Sequence, residues 1–159
     1  MKRIAAIILV LTVGMVLFAG CGGGSTQQNN NPAENAGQTV KGKTGEPLSL
    51  PGDTQITVKR VVKNPEDSKM ILVETEIKNI GDTPKVYSLQ NFVLKDKSGK
   101  VYRPEIAKVP NPIITTNVLS GKTLNGFLGF SVPEGKNEFT LVFQGATGKI
   151  NVEITVPEE

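Results

Sequence analysis

Few residues in this chain could carry out chemistry. It contains no histidine and a single cysteine, Cys21. Without histidine, a catalytic triad or a proton shuttle would have to rest on carboxylates, lysine or tyrosine. Without a histidine or a second cysteine, nothing of the usual kind can activate the Cys21 thiol or share a zinc or copper ion with it. The residue types therefore argue against an enzyme, and we expect no metal and no cofactor.

Two short motifs are the remaining candidates for polar chemistry. The tripeptide SGK at 120–122 has the spacing of a serine–lysine dyad, but its glycine indicates a turn. The tetrapeptide DKSG at 96–99 resembles the start of a calcium loop. It lacks the further acidic ligands of such loops, and a hairpin turn with Gly99 at positive φ accounts for the same letters. We expect a turn at both places.

Cys21 closes an apolar run at the start of the chain. Lys2 and Arg3 precede residues 4–18, which carry no charge and one polar side chain, Thr12. A basic stretch followed by an apolar one is the pattern of a secretory signal. As a helix the run would be about 22 Å long, which is short for the ~30 Å hydrocarbon core of a membrane.

The residues around the cysteine look like a bacterial lipobox, where signal peptidase cuts before a cysteine that carries a diacylglyceryl thioether. Leu17 and Phe18 supply the apolar positions of this motif, and Ala19 and Gly20 supply the small ones. Two or more acyl chains hold a protein stably on a membrane, at ~0.8 kcal/mol per buried CH₂. We therefore predict peptidase recognition at residues 17–20 and lipid attachment at Cys21. An uncleaved membrane helix with an ordinary thiol is the alternative.

The charge balance argues against nucleic acid as a partner. The chain has 18 basic and 15 acidic residues. Loss of Lys2 and Arg3 with the signal peptide leaves 16 against 15, without the basic field that nucleic-acid binding needs. The densest basic stretch is interpreted as lysines that guard a strand edge, and contact with anionic headgroups or wall polymers is the alternative. That stretch comprises Lys95, Lys97, Lys100, Arg103 and Lys108.

The composition predicts three parts. Residues 1–20 are the expected signal peptide. Residues 21–47 are expected to be a lipidated N-terminus and a flexible linker, because the stretch is rich in Asn, Gln, Gly and Thr and poor in large apolar residues. Residues 48–159 are long enough for one folded domain.

Alternating apolar and polar residues predict the fold of that domain. Strict alternation is typical of half-buried strands in antiparallel sheets, and no segment shows a helical apolar stripe. About seven strands in roughly 110 residues predict an all-β, immunoglobulin-like sandwich of two antiparallel sheets. The alternating segments are TQITVKRVV, KMILVETEIKN, NEFTLVFQ and KINVEITV, with KVYSLQNFVLKD and TLNGFLGFSV as less regular candidates. The residues expected on the inward face of the four alternating segments are Ile56 and Val58; Ile71, Val73 and Ile77; Phe139, Leu141 and Phe143; and Ile150, Val152, Ile154 and Val156.

Four stretches, in this order, carry a family resemblance: PGDTQITVKRV, LVETEIKNIGDTP, NFVLKDKSGKVYRP and GKTLNGFLGFSVPEGKNEFTLVF. They resemble a widespread domain of unknown function with a telokin-like immunoglobulin fold. The resemblance covers nearly all of residues 48–156. The family occurs in lipoproteins and secreted proteins, especially of Gram-positive bacteria. It therefore implies a β-sandwich outside the cytoplasm, and it brings no catalytic residues.

The stretch Pro104–Leu119 fits this pattern least. It is long for a connection and contains three prolines, yet it is too apolar for disorder. We expect it to fold over an open end of the sandwich and complete the core. The alternative is an apolar binding surface formed by Ile106, Val109, Ile113 and Ile114.

Together these features predict a lipoprotein that Cys21 anchors to the extracytoplasmic face of a cell membrane. The sandwich is interpreted as a non-enzymatic binding module for an unknown envelope protein or wall component. The alternative is a carrier or accessory lipoprotein that holds a small molecule or ion for an envelope transporter. An enzyme is the weakest of the three classes, and the fold by itself does not choose among them.

Overall fold

The computed structural model describes residues 37–158, which form eleven β-strands and one short 3₁₀ helix (Leu89–Asn91). Cys21 and the predicted recognition residues Leu17, Phe18, Ala19 and Gly20 lie outside the described residues. In chain order the strands are β1 (Gln38–Lys43), β2 (Pro47–Leu50), β3 (Thr54–Asn64), β4 (Asp67–Asn79), β5 (Lys85–Tyr87), β6 (Phe92–Asp96), β7 (Val101–Tyr102), β8 (Thr116–Val118), β9 (Thr123–Ser131), β10 (Glu138–Gln144) and β11 (Gly148–Thr155). Within residues 37–158, no helix is long and apolar enough to cross a membrane.

Two sheets make up the sandwich. One has the strand order β1-β11-β10-β6-β7 and the other has the order β2-β3-β4-β9, while β5 and β8 pair with each other. The prediction of an all-β two-sheet sandwich is confirmed. The described strands outnumber the expected seven because β2, β5, β7 and β8 are only two to four residues long. Such short strands leave no readable alternation in the sequence.

The core is built from the inward-facing residues of the long strands. Phe92, Phe130 and Phe143 are almost completely buried, and the rings of Phe92 and Phe143 lie 5.1 Å apart between centroids. The aliphatic residues predicted to face inward are buried with them; they include Ile56, Val58, Ile71, Val73, Ile77, Leu141, Ile150, Val152, Ile154 and Val156. Alternation therefore identified the predicted inward residues of β3, β4, β10 and β11 correctly.

Strand β3 exchanges its faces after Val58. Val58 is fully buried, and the register against β4 shifts between Val58 and Arg60. A bulge of this kind adds one residue to a strand and exchanges its two faces beyond that point. Arg60 is therefore exposed and Val61 returns to the core.

The predicted linker over residues 21–47 is wrong from Gln38 onward. Strand β1 lies parallel to β11, from the pair Gln38–Gly148 to the pair Lys43–Glu153. Its side chains are exposed or only partly buried, and only Val40 among them packs against the core, so backbone hydrogen bonds to β11 hold most of the strand in place. A Cβ on Gly148 would lie 2.2 Å from the carbonyl oxygen of Gln38, so the glycine permits the close pairing. Apolar patterning does not detect a strand of this kind.

The first part of the stretch Pro104–Leu119, residues 105–113, runs along the free edge of β9, and its last part contains β8, which pairs with β5. The backbone N–H of Glu105 donates to the carbonyl of Gly129 (2.9 Å), and that of Ile113 donates to the carbonyl of Phe127 (3.0 Å). The expectation that the segment completes the core is confirmed for Ile113 and Val118, but its first part lies along a sheet edge and not over an open end. The segment covers a sheet edge, which would otherwise expose unpaired backbone groups.

The four residues proposed as an apolar binding surface are divided by this arrangement. Ile113 joins the main core, and Val109 packs beside Met70 on the outer face of the four-stranded sheet. Ile106 and Ile114 are each 56% exposed. The prediction of an apolar binding surface is therefore wrong for Val109 and Ile113, which are buried. Gly129 and Gly126 of β9 leave the space that these two side chains occupy.

Candidate functional site

One end of the sandwich, called here the β1 end, is where β1 begins. Gln38 pairs there with Gly148, just after the turn at 145–147. The turn at 51–53 lies at the same end, because the N–H of Ile80 donates to the carbonyl of Asp53. The turn at 119–122 joins them, because the N–H of Gly121 donates to the carbonyl of Asn79. The β1 end therefore gathers turns from both sheets.

An open cleft of about 450 Å³ lies at the β1 end. Its walls come from the start of β3, from β5, and from the end of β10 with the turn that follows. The lining residues are Asp53, Thr54, Lys85, Val86, Tyr87, Asn91, Phe143, Gln144, Gly145 and Ala146. A buried charged pair, Asp53 with Lys85, meets open space in this cleft, so we take it as the candidate site.

Asp53 is the polar centre of this cleft. Its residue is only 2% exposed, and its carboxylate pairs with the Lys85 ammonium. The hydroxyls of Thr54 and Thr147 each donate to the same carboxylate at 3.0 Å. The Tyr87 hydroxyl lies 2.9 Å from the Thr54 hydroxyl. Because Thr54 gives its one proton to Asp53, Tyr87 must donate to Thr54.

These contacts set the charge of each group. Burial raises the pKa of Asp53, but hydrogen bonds from Lys85, Thr147 and Thr54 outweigh burial and leave its pKa below the ordinary value. Burial, together with the nearby Asp53 charge, raises the pKa of Tyr87 although the Thr54 hydrogen bond opposes this. At neutral pH the site therefore contains a carboxylate and a neutral phenol.

Local sequence explains how the polar groups meet. Alternation along β5 turns Lys85 and Tyr87 inward and leaves Val86 63% exposed. Gly52, at φ +65°, makes the sharp turn before Asp53. A Cβ on Gly145 would lie 2.7 Å from Leu50 Cδ1 and 3.2 Å from Asp53 Oδ2, so only glycine lets the 145–147 turn close over the carboxylate.

The arrangement ties three parts of the fold together. Asp53 accepts hydrogen bonds from β5, from β3 and from the 145–147 turn, so its lone pairs are used within the protein. A carboxylate committed in this way is a poor general base. The Lys85 side chain is 22% exposed, and its ammonium has three N–H donors, of which Asp53 does not need all. The cleft can thus offer a cationic donor to a ligand.

A second buried carboxylate, Asp96, lies at the opposite end of the sandwich. Its Oδ1 accepts hydrogen bonds from the Ser98 hydroxyl (2.6 Å) and from the N–H groups of Ser98 (2.9 Å) and Lys100 (3.0 Å). Its Oδ2 accepts one from the Tyr102 hydroxyl (3.0 Å) and pairs with the Lys136 ammonium. These donors, Lys136 and Ser98 above all, hold the pKa of Asp96 far below its ordinary value.

The DKSG motif at 96–99 forms a turn. Gly99 has φ +83°, and its N–H donates to the carbonyl of Asp96, as in a hairpin turn between β6 and β7. The predicted turn is confirmed. Among residues 37–158, no three His, Cys, Asp or Glu side chains come close enough together to share a metal ion.

The other motifs also take structural positions. The Ser120 hydroxyl donates to the carbonyl of Gly81 at 2.7 Å, within the predicted turn. In the basic stretch, Lys97 pairs with Glu138 and Lys108 pairs with Asp67 at 3.4 Å. Sequence reasoning missed the cluster of Asp53, Lys85 and Tyr87. Asp53 lies more than 30 residues before Lys85 and Tyr87, and no local motif links it to them.

A family model described as "Domain of unknown function (DUF4352)" matches residues 35–152. The uncharacterized lipoprotein YjhA of Bacillus subtilis (strain 168) is 28% identical over 100 residues. That alignment covers 59% of this chain and 47% of YjhA, so the chain spans about half of the length of this relative.

Solved structures resemble the sandwich. The crystal structure of the yjhA protein from Bacillus subtilis is 24% identical with a TM-score of 0.58, covering 72% of this chain and 98% of that one. The secreted protein MPT63 from Mycobacterium tuberculosis is 14% identical with a TM-score of 0.58, covering 74% and 98%. At these identities the likeness concerns the fold.

Proposed function

This chain belongs to the DUF4352 family of domains of unknown function, and from that premise we propose that it is a lipoprotein anchored through Cys21. The lipid holds the chain on the extracytoplasmic face of the cell membrane. The sandwich acts there as a non-enzymatic binding module for a component of the envelope. Support for the anchor comes from the apolar run before Cys21 and from the similarity to a lipoprotein.

The observation that carries the non-enzymatic part is the state of the two buried carboxylates. Asp53 and Asp96 are each paired with a lysine and hydrogen-bonded to at least one hydroxyl. Their pKa values are lowered, whereas a general base at neutral pH needs a pKa near 7. Both groups hold loops and strands together, as structural ion pairs do.

Metabolic labelling tests the anchor. The full chain is expressed in a bacterium that processes lipoproteins, together with an alkyne analogue of palmitate, and Cys21→Ser is the matched control. We expect label and membrane sedimentation for the natural chain, and a larger unlabelled precursor or shed protein for the variant. Normal maturation and membrane sedimentation of Cys21→Ser would refute the anchor. Protease treatment of cells stripped of their wall then reports the side of the membrane.

The cleft favours a second candidate, a carrier of a small molecule or ion. Lys85 and Tyr87 converge there on an opening of about 450 Å³, a volume within the range of small-ligand sites. Small anions and carboxylates can be screened by their effect on the thermal unfolding midpoint of the full chain. A ligand that stabilises the natural chain and the similarly destabilised Lys136→Met variant, but not a Lys85→Met variant, would favour the carrier. In-cell crosslinking of a specific envelope protein, without such a ligand, would favour the binding module.

A further inference from the structure

We infer that the β1 end of the sandwich rests on the membrane surface and contacts anionic phospholipids. Val86 and Leu119 lie at the depth of the headgroups, and Lys122 and Lys149 lie beside the phosphates. This inference rests on the proposed anchor at Cys21. It adds an orientation and a partner, the bilayer itself, to the binding module.

The first argument is where the chain enters the fold. Gly37 follows Cys21 by 16 residues, which span at most about 58 Å when fully extended. Gly37 lies against Gly148 at the β1 end, since a Cβ on Gly37 would be 2.8 Å from Gly148 Cα. The 13 residues of β4 give the sandwich a length of about 40 Å. If the opposite end contacted the membrane instead, the chain between Cys21 and Gly37 would have to span the length of the domain to reach the anchor.

The second argument is apolar exposure at the β1 end. Val86 is 63% exposed and lies beside the cleft, on the outward side of β5. Leu119 is 56% exposed at the start of the 119–122 turn, where Gly121 has φ +72°. Large exposed apolar side chains on a short strand and on a neighbouring turn are suited to insertion between headgroups, where each loses part of its contact with water.

The third argument is charge. Lys122 and Lys149 are exposed at the β1 end, each next to one of its turns. Asp82 is an exposed carboxylate at the same end, and the Lys85 charge is already paired with Asp53. A lysine near an anionic leaflet contributes roughly 1 kcal/mol. Attraction of this size is enough to hold the β1 end on the bilayer, because the short link to the lipidated Cys21 gives that end an effective concentration at the membrane on the order of millimolar.

Site-specific labelling of the lipidated chain in vesicles tests the inference. The thioether blocks Cys21, and the chain has no other cysteine, so one introduced cysteine takes the fluorophore alone. Leu119→Cys reports the β1 end, and Glu134→Cys, exposed at the opposite end, is the matched control. The vesicles contain phosphatidylcholine and phosphatidylglycerol, with or without brominated acyl chains. We expect brominated lipid to quench the label at position 119 and to leave the label at position 134 unchanged.

Removal of the basic side chains tests the choice of lipid. Adding Lys122→Glu and Lys149→Glu to the Leu119→Cys chain should reduce quenching to the level seen in vesicles of phosphatidylcholine alone. Equal quenching at positions 119 and 134, or none at either in chains that float with the vesicles, overturns the inference and leaves the anchor intact. A blue shift at position 119 without quenching indicates protein contact and also overturns it. A natural chain that fails to float with the vesicles refutes the anchor, and the inference with it.

Discussion

Asp53 and Lys85, 32 residues apart in the chain, form an ion pair that joins the start of β3 to β5 at the β1 end of the sandwich. Two threonine hydroxyls complete the carboxylate's contacts. Asp96 and Lys136 form a similar pair, 40 residues apart, at the opposite end. Each end of the sandwich therefore contains one ion pair between a lysine and a buried carboxylate.

Breaking the first pair should destabilise the domain strongly. Lys85→Met leaves the buried Asp53 carboxylate without its cation, which costs about 3 kcal/mol for pairs of this kind. Urea denaturation measures the loss in the free energy of unfolding. Lys97→Met is the matched control, because Lys97 pairs with Glu138 on the surface with 77% of its side chain exposed, and such pairs contribute less than ~1 kcal/mol. Equal losses for the two variants would contradict the proposed role of Asp53 and Lys85.

Stability should fall in acid partly through Asp96. The pKa of Asp96 is lower in the folded chain than its ordinary value of 3.8, so the carboxylate stabilises the fold above that pH. This contribution is lost as pH falls from the ordinary value through the lowered one. We expect a steeper loss of unfolding free energy below pH 3.8 for the natural chain than for Asp96→Asn. Lys136→Met should also flatten this part of the curve, and an unchanged slope in both variants would exclude Asp96 as its source.

Gly129 should be intolerant of any side chain while Val109 is present. A Cβ at Gly129 would lie 2.4 Å from Val109 Cγ2 and 3.2 Å from the Met70 sulfur. Gly129→Ala should therefore cost about 1–3 kcal/mol, as overpacking does. A double-mutant cycle with Val109→Ala, measured by chemical denaturation, should show a smaller cost because the colliding methyl is gone. An additive cycle would mean that the two residues do not compete for the same space.

Phe143 should be among the most costly core residues to truncate. Its side chain is 2% exposed and contacts the ring of Phe92, so Phe143→Ala should cost about 3–5 kcal/mol in unfolding free energy. Val101→Ala is a control on the surface, where Val101 is 49% exposed, and it should change stability by less than about 0.5 kcal/mol. A neutral Phe143→Ala would mean that the inward face of β10 is wrongly assigned.

Strand β1 should behave as part of the domain. A chain that begins at Gly37 should be more stable than one that begins at Leu48, by at least about 1 kcal/mol, because the shorter chain loses the hydrogen bonds between β1 and β11. Thermal unfolding compares the two chains. Hydrogen exchange of the intact chain adds a local test: amides of β1 that pair with β11 should be protected. Rapid exchange throughout 38–43 would support the original interpretation of a linker.

The long strands were predictable because burial on one face leaves a period-two pattern in the sequence. Hence the sandwich, the inward residues of β4, β10 and β11, and the hairpin turn at Gly99 were predicted correctly. The family resemblance is confirmed by the match over residues 35–152. Strand β1 was missed because its side chains are exposed or only partly buried. The segment 104–119 completes the core through Ile113 and Val118 as expected, but the place of its first part along β9 was missed because its apolar residues do not specify which edge they cover.

The sequence by itself determined the fold class, because alternation and turn residues are local properties of the chain. The meeting of Asp53 with Lys85 and Tyr87, and of Asp96 with Lys136, was decided only by the tertiary structure. Each buried carboxylate needs a cation, but many lysines in the sequence could supply it, and only the packing of two sheets selects one. The same holds for Val109. Its contact with Gly129 arises only because residues 105–113 run along the edge of β9 in the folded chain.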